Sequence, residues 1–335
     1  MQKNDRTHFI LSPGRLRRQD NNLYFDKYDE EGQKIGSKVL PIRAIDEIYI
    51  LAKVELDSYT LAFLADNNVL VHFFSPRQSF RGNFFPNSPN SVNKSGFVFV
   101  NQVRAFDSPE HRLHLAKAFA KGEIINGAHN CQKRSVKFDR EPFLQALEKA
   151  KDVQQVMAVE GAFKKEYYQC WNHIIQNQRS FKFTVRTKRP PADKINALIS
   201  YVNTRIYNVV LSEIYKTELD PRVSYLHEPN YRHVSLHLDI AEIFKPIIGD
   251  NLIFMLLNKK MITPSSFETR SGLIRFKKEA IQTIELAMID KLTSQIKIGD
   301  QRLTWRQIIR REINHIKRTI CEYTPYIPFD QSRPR

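Results

Sequence analysis

The spacing of apolar and polar positions changes once along this chain. Up to about residue 85 the apolar residues come in short β-branched or aromatic runs: HFIL, NLYFDKY, KVLPI, EIYIL and VLVHFF. Pro13-Gly14, Asn21-Asn22, Glu31-Gly32 and Asn67-Asn68 break them, a pattern that predicts strands between turns. One helix, SYTLAFLAD over 58–66, is set among them. Parallel βαβ units need more helices than this, so the expectation is a small sandwich. Residues 86–96, PNSPNSVNKSG, lose all periodicity and read as a linker. From residue 97 the period becomes helical, with helices predicted over 98–106, 109–126, 142–150, 153–170, 193–215, 235–247, 251–257, 277–292 and 305–321. Pro109, Pro142 and Pro190-Pro191 stand near helix starts, where proline is tolerated. The expected fold class is α+β: an N-terminal β-sandwich domain over 1–85, the linker, and a larger all-α domain over 97–330.

Three stretches of the second domain carry candidate chemistry. In SLHLDIAEIFKP, Leu236, Ile240, Ile243 and Ile247 make an apolar helical face, with Ser235 at the N-cap position and Pro246 near the end. Asp239 and Glu242, three apart, flank that face, and His227-Glu228 precede it. Two carboxylates beside a histidine suit a hard divalent cation; two solvated acids on an amphipathic helix fit the same letters. In VMAVEGAFKKEYY (156–168), Val156, Met157, Phe163 and Tyr167 predict the buried side and Glu160 falls on it, a costly place for an unpaired acid. Gly161 within this helix costs about 1 kcal/mol relative to Ala, which a close backbone approach would explain. In KFTVRTKRPPADKINALISYVN (182–203), Lys182, Arg186, Lys188 and Arg189 form a basic loop ahead of a helix capped by Asp193. Such a loop is a phosphate site or a solvated turn, and Tyr167-Tyr168 are core or DNA contacts.

Charge narrows the partners. The 335 residues carry a formal net charge of +16, which favours a polyanion, nucleic acid first. No run of about 18 apolar residues is present, so no membrane span is expected. The polar start MQKNDRTHFIL does not read as a secretory signal. Three separated cysteines, Cys131, Cys170 and Cys321, suggest neither a zinc knuckle nor a disulfide framework. A cytoplasmic location is expected.

Taken together, EGAFKKEYY from Glu160, RPPADKINALIS from Arg189, LDPRVSYLHE from Leu219, SLHLDIAEIFKP from Ser235 and VLVHFFSPRQSFRGNFFP from Val69 resemble the CRISPR-associated integrase family known as Cas-one, over nearly the whole chain. The resemblance implies an N-terminal β domain that mediates homodimerisation and a helical catalytic domain. It also implies assembly with a dimer of the small partner Cas-two, and action on a prespacer duplex and the CRISPR repeat. The reaction implied is transesterification, in which 3′-hydroxyl ends of short DNA attack phosphodiesters at the repeat boundary. Carried over by motif, Glu160, His227 and Glu242 would hold a Mg²⁺ or Mn²⁺ ion, with Asp239 a neighbouring acid implicated in activity. His227 has a second possible role as a general base. The family often has Arg where this chain has Lys164, and Gly where it has Ser224; a lysine meets phosphate without bidentate geometry. Lys164, Tyr168, Arg186, Lys188, Arg189, Arg222, Arg232 and Lys245 are the expected DNA contacts. The competing readings are a metal-dependent nuclease for branched DNA in repair and a non-catalytic nucleic-acid-binding scaffold.

Overall fold

The computed structural model describes residues 7–29, 31–75, 80–86, 95–176, 178–229, 234–270 and 272–333. The linker expected over 86–96 lies largely outside these residues. The protein is α+β, with a strand-rich N-terminal region and a helical C-terminal region. It divides into two compact units, Met1–Val92 and Asn93–Arg335.

The first unit contains strands β1 (Thr7–Ile10), β2 (Gly14–Gln19), β3 (Asn22–Tyr28), β4 (Lys34–Leu40), β5 (Glu47–Ile50), β6 (Val54–Glu55), β7 (Leu70–Phe74) and β8 (Phe80–Phe84), with helix α1 (Ser58–Asp66) before β7. They form two four-stranded sheets, ordered β1-β5-β7-β8 and β4-β3-β2-β6. One apolar core takes Ile10, Ile48 and Val71 from the first sheet, Leu16, Leu23 and Leu40 from the second, and Phe63 and Leu64 from α1. The sequence argued against parallel pairing, yet β1, β5 and β7 run parallel. The β5-to-β7 crossover needs only one helix, and α1 supplies it, capped by Asp57 accepting from Thr60 N at 2.8 Å. The β1-to-β5 connection passes through β2, β3 and β4 in the other sheet, so it needs no helix at all.

The second unit comprises α2 (Gly96–Asp107), α3 (Pro109–Gln132), α4 (Glu141–Lys149), α5 (Val153–Ile174), α6 (Gln178–Phe181), α7 (Lys194–Tyr215), α8 (Leu236–Phe244), α9 (Asn251–Asn258), α10 (Lys278–Thr293) and α11 (Trp305–Glu322). It is not all-α. Two hairpins, β9 (Phe267–Arg270) with β10 (Leu273–Phe276) and β11 (Gln295–Ile298) with β12 (Gln301–Thr304), interrupt the helices. Their four-residue strands are too short to show a period-2 pattern, and their turns rely on Gly272 and Gly299 at positive φ.

Helix α3 packs along α5 and α8, and α7 also packs on α8. The approach of α3 to α5 depends on Gly127, where an added Cβ would stand 2.6 Å from Phe163 Cζ. Phe163 is fully buried and stacked on Tyr167 at 5.4 Å, so it has little freedom to yield. Gly127→Ala is therefore expected to cost about 1–3 kcal/mol of stability through overpacking. The check is a lower urea midpoint at unchanged slope; an unmoved midpoint would show that the two helices need not pack so closely. Gly161 has no such role: nothing lies within 4 Å of a Cβ built there, so the close approach expected from the sequence is absent.

Candidate metal centre

Leu236, Ile240, Ile243 and Ile247 are all fully buried, as their spacing requires. Ser235 occupies the N-cap position but makes no capping bond. Its hydroxyl turns instead to the Arg222 carbonyl, at 3.1 Å. Pro246 cannot donate to the carbonyl of Glu242 four residues back, and the chain widens into a π turn over Lys245–Asp250 before α9 continues. Such turns within helices recur at functional sites. The freed Pro246 carbonyl accepts from Asn130 Nδ2 at 2.7 Å and Asn251 Nδ2 at 3.0 Å. Asp239 and Glu242 do not flank the apolar face as solvated acids; both are buried within it.

Helix α5 brings Glu160 to Glu242. Val156, Phe163 and Tyr167 are buried as expected, but Met157 is 42% exposed and lies off that face. Helix α3 adds an acid that the sequence reading missed. Ligand oxygens of Glu123, Glu160 and Glu242 all lie within 4.8 Å of one another. The signal was present: Glu123 sits between buried Phe119, Ala120, Ile124 and Gly127, the same placement of an acid on a packed face that singled out Glu160. Lys164 lies among the three, paired with Glu160 one turn back, with Glu242 Oε2 at 2.9 Å and with Glu123 Oε1 at 3.3 Å. Lys245 holds the other oxygen of Glu242 at 2.6 Å.

His227 reaches the same place from a loop. Its Nε2 is 4.0 Å from Glu242 Oε1. Its Nδ1 is 2.8 Å from Asp239 Oδ1, which also accepts the His227 backbone N–H at 2.9 Å. Asp239 Oδ2 accepts from Tyr225 N at 2.6 Å and Leu226 N at 3.0 Å. Both oxygens of Asp239 are thus committed to fixing the loop and the imidazole, so Asp239 positions His227. Ser224 serves the same turn: its hydroxyl donates to the His227 carbonyl at 2.5 Å and lies 2.7 Å from the Ser235 hydroxyl.

The electrostatics follow from burial. Desolvation and the charge of Glu242 push the Glu123 carboxyl well above the usual carboxylate range. Desolvation acts on Glu242 too, but Lys164 and Lys245 outweigh it and hold Glu242 well below that range. The Glu123 Oε2 atom is buried with no hydrogen-bond donor among the described residues. Burial pulls the His227 imidazole down, yet the bond to Asp239 and the charges of Asp239 and Glu242 leave it raised.

The expected DNA contacts fall into different places. Lys164, part-buried, and Lys245, buried, are both spent on the acid cluster, and Lys245 also lies over the Tyr207 ring at 4.9 Å. Tyr168 is core, stacked on Phe183 and edge-on to Trp171, each at 5.0 Å. Arg186 pins its own loop, donating to Asn196 Oδ1 at 3.0 Å and Ser200 Oγ at 2.9 Å. Arg222 is exposed and paired with Asp220 at 2.6 Å. Arg189 is exposed. Lys188 is exposed, on the same loop; partial desolvation and the charges of Lys164 and Lys245 lower it from its ordinary value. Arg232 lies outside the described residues.

Residues 8–288 match the family model of the CRISPR associated protein Cas1. A CRISPR-associated endonuclease Cas1 of Thermodesulfovibrio yellowstonii is 36% identical over 332 residues, covering 96% of this chain and 97% of that protein. The chain belongs to the Cas1 family. A solved CAS1 protein from Thermotoga maritima superimposes with a TM-score of 0.86 at 29% identity, covering 96% of this chain and 98% of the other. A casposase bound to an integration product shares the fold, with a TM-score of 0.86 at 18% identity over 98% of this chain and 93% of that one.

The donor set of this Cas1 chain fits a divalent ion. In a six-coordinate ion with ligands at about 2.1 Å, opposed oxygens stand about 4.2 Å apart, and the three carboxylates are already within 4.8 Å. The imidazole that would join them has Nδ1 held by a carboxylate, the usual support of a metal-ligating histidine. The unpartnered oxygen of Glu123 is itself a vacant donor.

Proposed function

We propose that this Cas1 chain performs the integration step of CRISPR adaptation, joining the 3′-hydroxyl ends of short DNA to the CRISPR repeat by transesterification. Glu160, His227 and Glu242 would hold a Mg²⁺ or Mn²⁺ ion. The observation that supports this reading most is that Glu160 and Glu242, from two helices distant in sequence, bring carboxylate oxygens within 4.8 Å of one another, while His227 on a loop has its Nε2 4.0 Å from Glu242. When bound, the ion supplies positive charge against the phosphoryl oxygens and the leaving alkoxide.

The chain's own residues supply the rest. Asp239 holds the His227 ring so that Nε2, and not Nδ1, faces the carboxylates. Lys245 keeps Glu242 ionised in a buried setting. Lys188 and Arg189, on the loop ahead of α7, meet the DNA phosphates and orient the strand. The first unit dimerises, and the exposed Ile35 and Val39 of strand β4 are apolar side chains such a contact would cover. Assembly with a Cas2 dimer follows from family membership. None of the described helices is long and apolar enough to cross a membrane, which suits action on DNA in the cytoplasm.

A single assay tests this. Purified protein, its small partner, a supercoiled repeat plasmid and a short duplex are mixed with and without Mn²⁺. Joined, branched DNA that depends on the metal is the expected product. Cleaved strands alone would favour a nuclease of branched DNA, and binding indifferent to EDTA with no product formed would favour a scaffold.

A further inference from the structure

The centre described above is a cluster of acids tied down by lysines. Three carboxylates, Glu123, Glu160 and Glu242, converge on it. Two ammoniums face them, Lys164 and Lys245. A buried polar atom without a partner is costly, and Glu123 Oε2 has no hydrogen-bond donor among the described residues. Lys164 differs from Lys245 in where it sits. Lys245 touches Glu242 alone among the three carboxylates and rests over an aromatic ring. Lys164 contacts all three at once, which is the position a single cation common to them would take. Exchanging that ammonium for a divalent cation would keep positive charge among the three carboxylates and give the Glu123 oxygen a partner.

We propose that Lys164 is a resident counter-ion which the divalent metal displaces, and that Glu123 is an additional carboxylate ligand of the metal. This rests on the metal-binding reading of Glu160, His227 and Glu242. The lysine stem is long, flexible and about a quarter exposed, so the ammonium has a route outward. Lys188 is exposed and feels the charge of Lys164. Metal entry would therefore release a positive charge beside the loop that receives DNA phosphates. Loading the ion and preparing the phosphate site become one event.

The test reads metal binding and lysine accessibility. Mn²⁺ is titrated into the full-length protein by calorimetry and by loss of its free-ion paramagnetic resonance signal. Lys164→Met is expected to bind Mn²⁺ at least tenfold more tightly than wild type, because the competing charge is gone. Without metal the same variant should melt below wild type, and Mn²⁺ should erase that difference. Glu123→Gln is expected to weaken Mn²⁺ about 10- to 100-fold. In the unaltered protein, reductive methylation read by mass spectrometry should modify Lys164 slowly without metal and several-fold faster with Mn²⁺; this measurement stands even if Lys164→Met does not fold. Unchanged or weaker Mn²⁺ binding by Lys164→Met, or Lys164 labelling indifferent to Mn²⁺, overturns the exchange. Unchanged Mn²⁺ affinity in Glu123→Gln removes Glu123 from the ligand set. A wild-type protein that binds no Mn²⁺ at all overturns the metal centre itself, and this inference with it.

Discussion

Glu242→Gln is expected to abolish strand transfer in Mg²⁺ and in Mn²⁺ while the protein still folds. Charge stabilisation by a bound ion contributes several kcal/mol to the transition state, so the loss should be on the order of 10³-fold or more. The amide keeps the shape of the side chain but removes the charge that Lys164 and Lys245 both face. Breaking a buried pair from one side costs about 3–5 kcal/mol, so the melting temperature should fall as well. Glu160→Gln separates the two effects. Its side chain is 14% exposed and carries only the Lys164 contact among its ion pairs, so activity should vanish with a smaller loss of stability. The pH dependence has a definite sign. The folded-state value of Glu242 is depressed, so its contribution is present above the ordinary carboxylate value, about 4.3, and is lost as pH falls through the depressed value. The stability gap between wild type and Glu242→Gln should therefore hold from neutral pH down to about pH 5 and narrow only below about pH 4. Strand transfer by Glu242→Gln at a tenth of the wild-type rate would remove this residue from the reaction.

Asp239→Asn should produce the second large effect, through His227. The carboxylate accepts three backbone N–H groups and the imidazole Nδ1. An amide offers one oxygen in place of two and turns an NH₂ towards donors. Each buried donor left unsatisfied costs about 1–3 kcal/mol, so unfolding by urea should show a drop of roughly 3–5 kcal/mol, similar to breaking a buried ionic contact. Loss of such an orienting partner typically weakens metal binding 10- to 100-fold. The acid limb of the binding curve should also move. A proton competes with the metal for Nε2, and in wild type the His227 value is raised, so affinity begins to fall while the pH is still above the ordinary imidazole value near 6.5. Without the Asp239 charge, burial prevails and lowers the imidazole, so the fall-off should shift to lower pH even as the plateau affinity drops. Mn²⁺ titrations across pH 5 to 8 would show both changes; a variant with the wild-type plateau and acid limb would mean that Asp239 does not govern His227.

Much of this arrangement was legible in the chain. The apolar stripe Leu236–Ile240–Ile243–Ile247 placed Glu242 at the edge of a packed face, and helical spacing put Glu160 on the buried side of α5. Periodicity tells which side of a helix turns inward, so it finds acids standing where solvent would not. It does not tell what they meet there. Glu123 was missed although its helical neighbours Phe119, Ala120 and Ile124 are apolar and buried, because α3 carries none of the motifs that mark the family. Met157 was misplaced because it lies at the margin of the α5 face, where a turn of 100° per residue leaves burial undecided until a neighbour covers it. The basic residues were the least legible. Charge counts alone cannot separate Lys164 and Lys245, enclosed by carboxylates, from Arg186, spent on its own loop, or from Arg189, open to solvent.

By itself the sequence determined the change from strands to helices, the faces those helices bury, and membership of a DNA-joining family. Each of these is written in local spacing or in short motifs. Only the tertiary structure decided that α3 brings a third carboxylate against α5 and α8, that Asp239 supports His227, and that Lys164 is held among three acids. The reason is physical. Such contacts depend on how closely two helices approach, as Gly127 beneath Phe163 allows, and an interhelical distance is a property of packing that no single segment encodes.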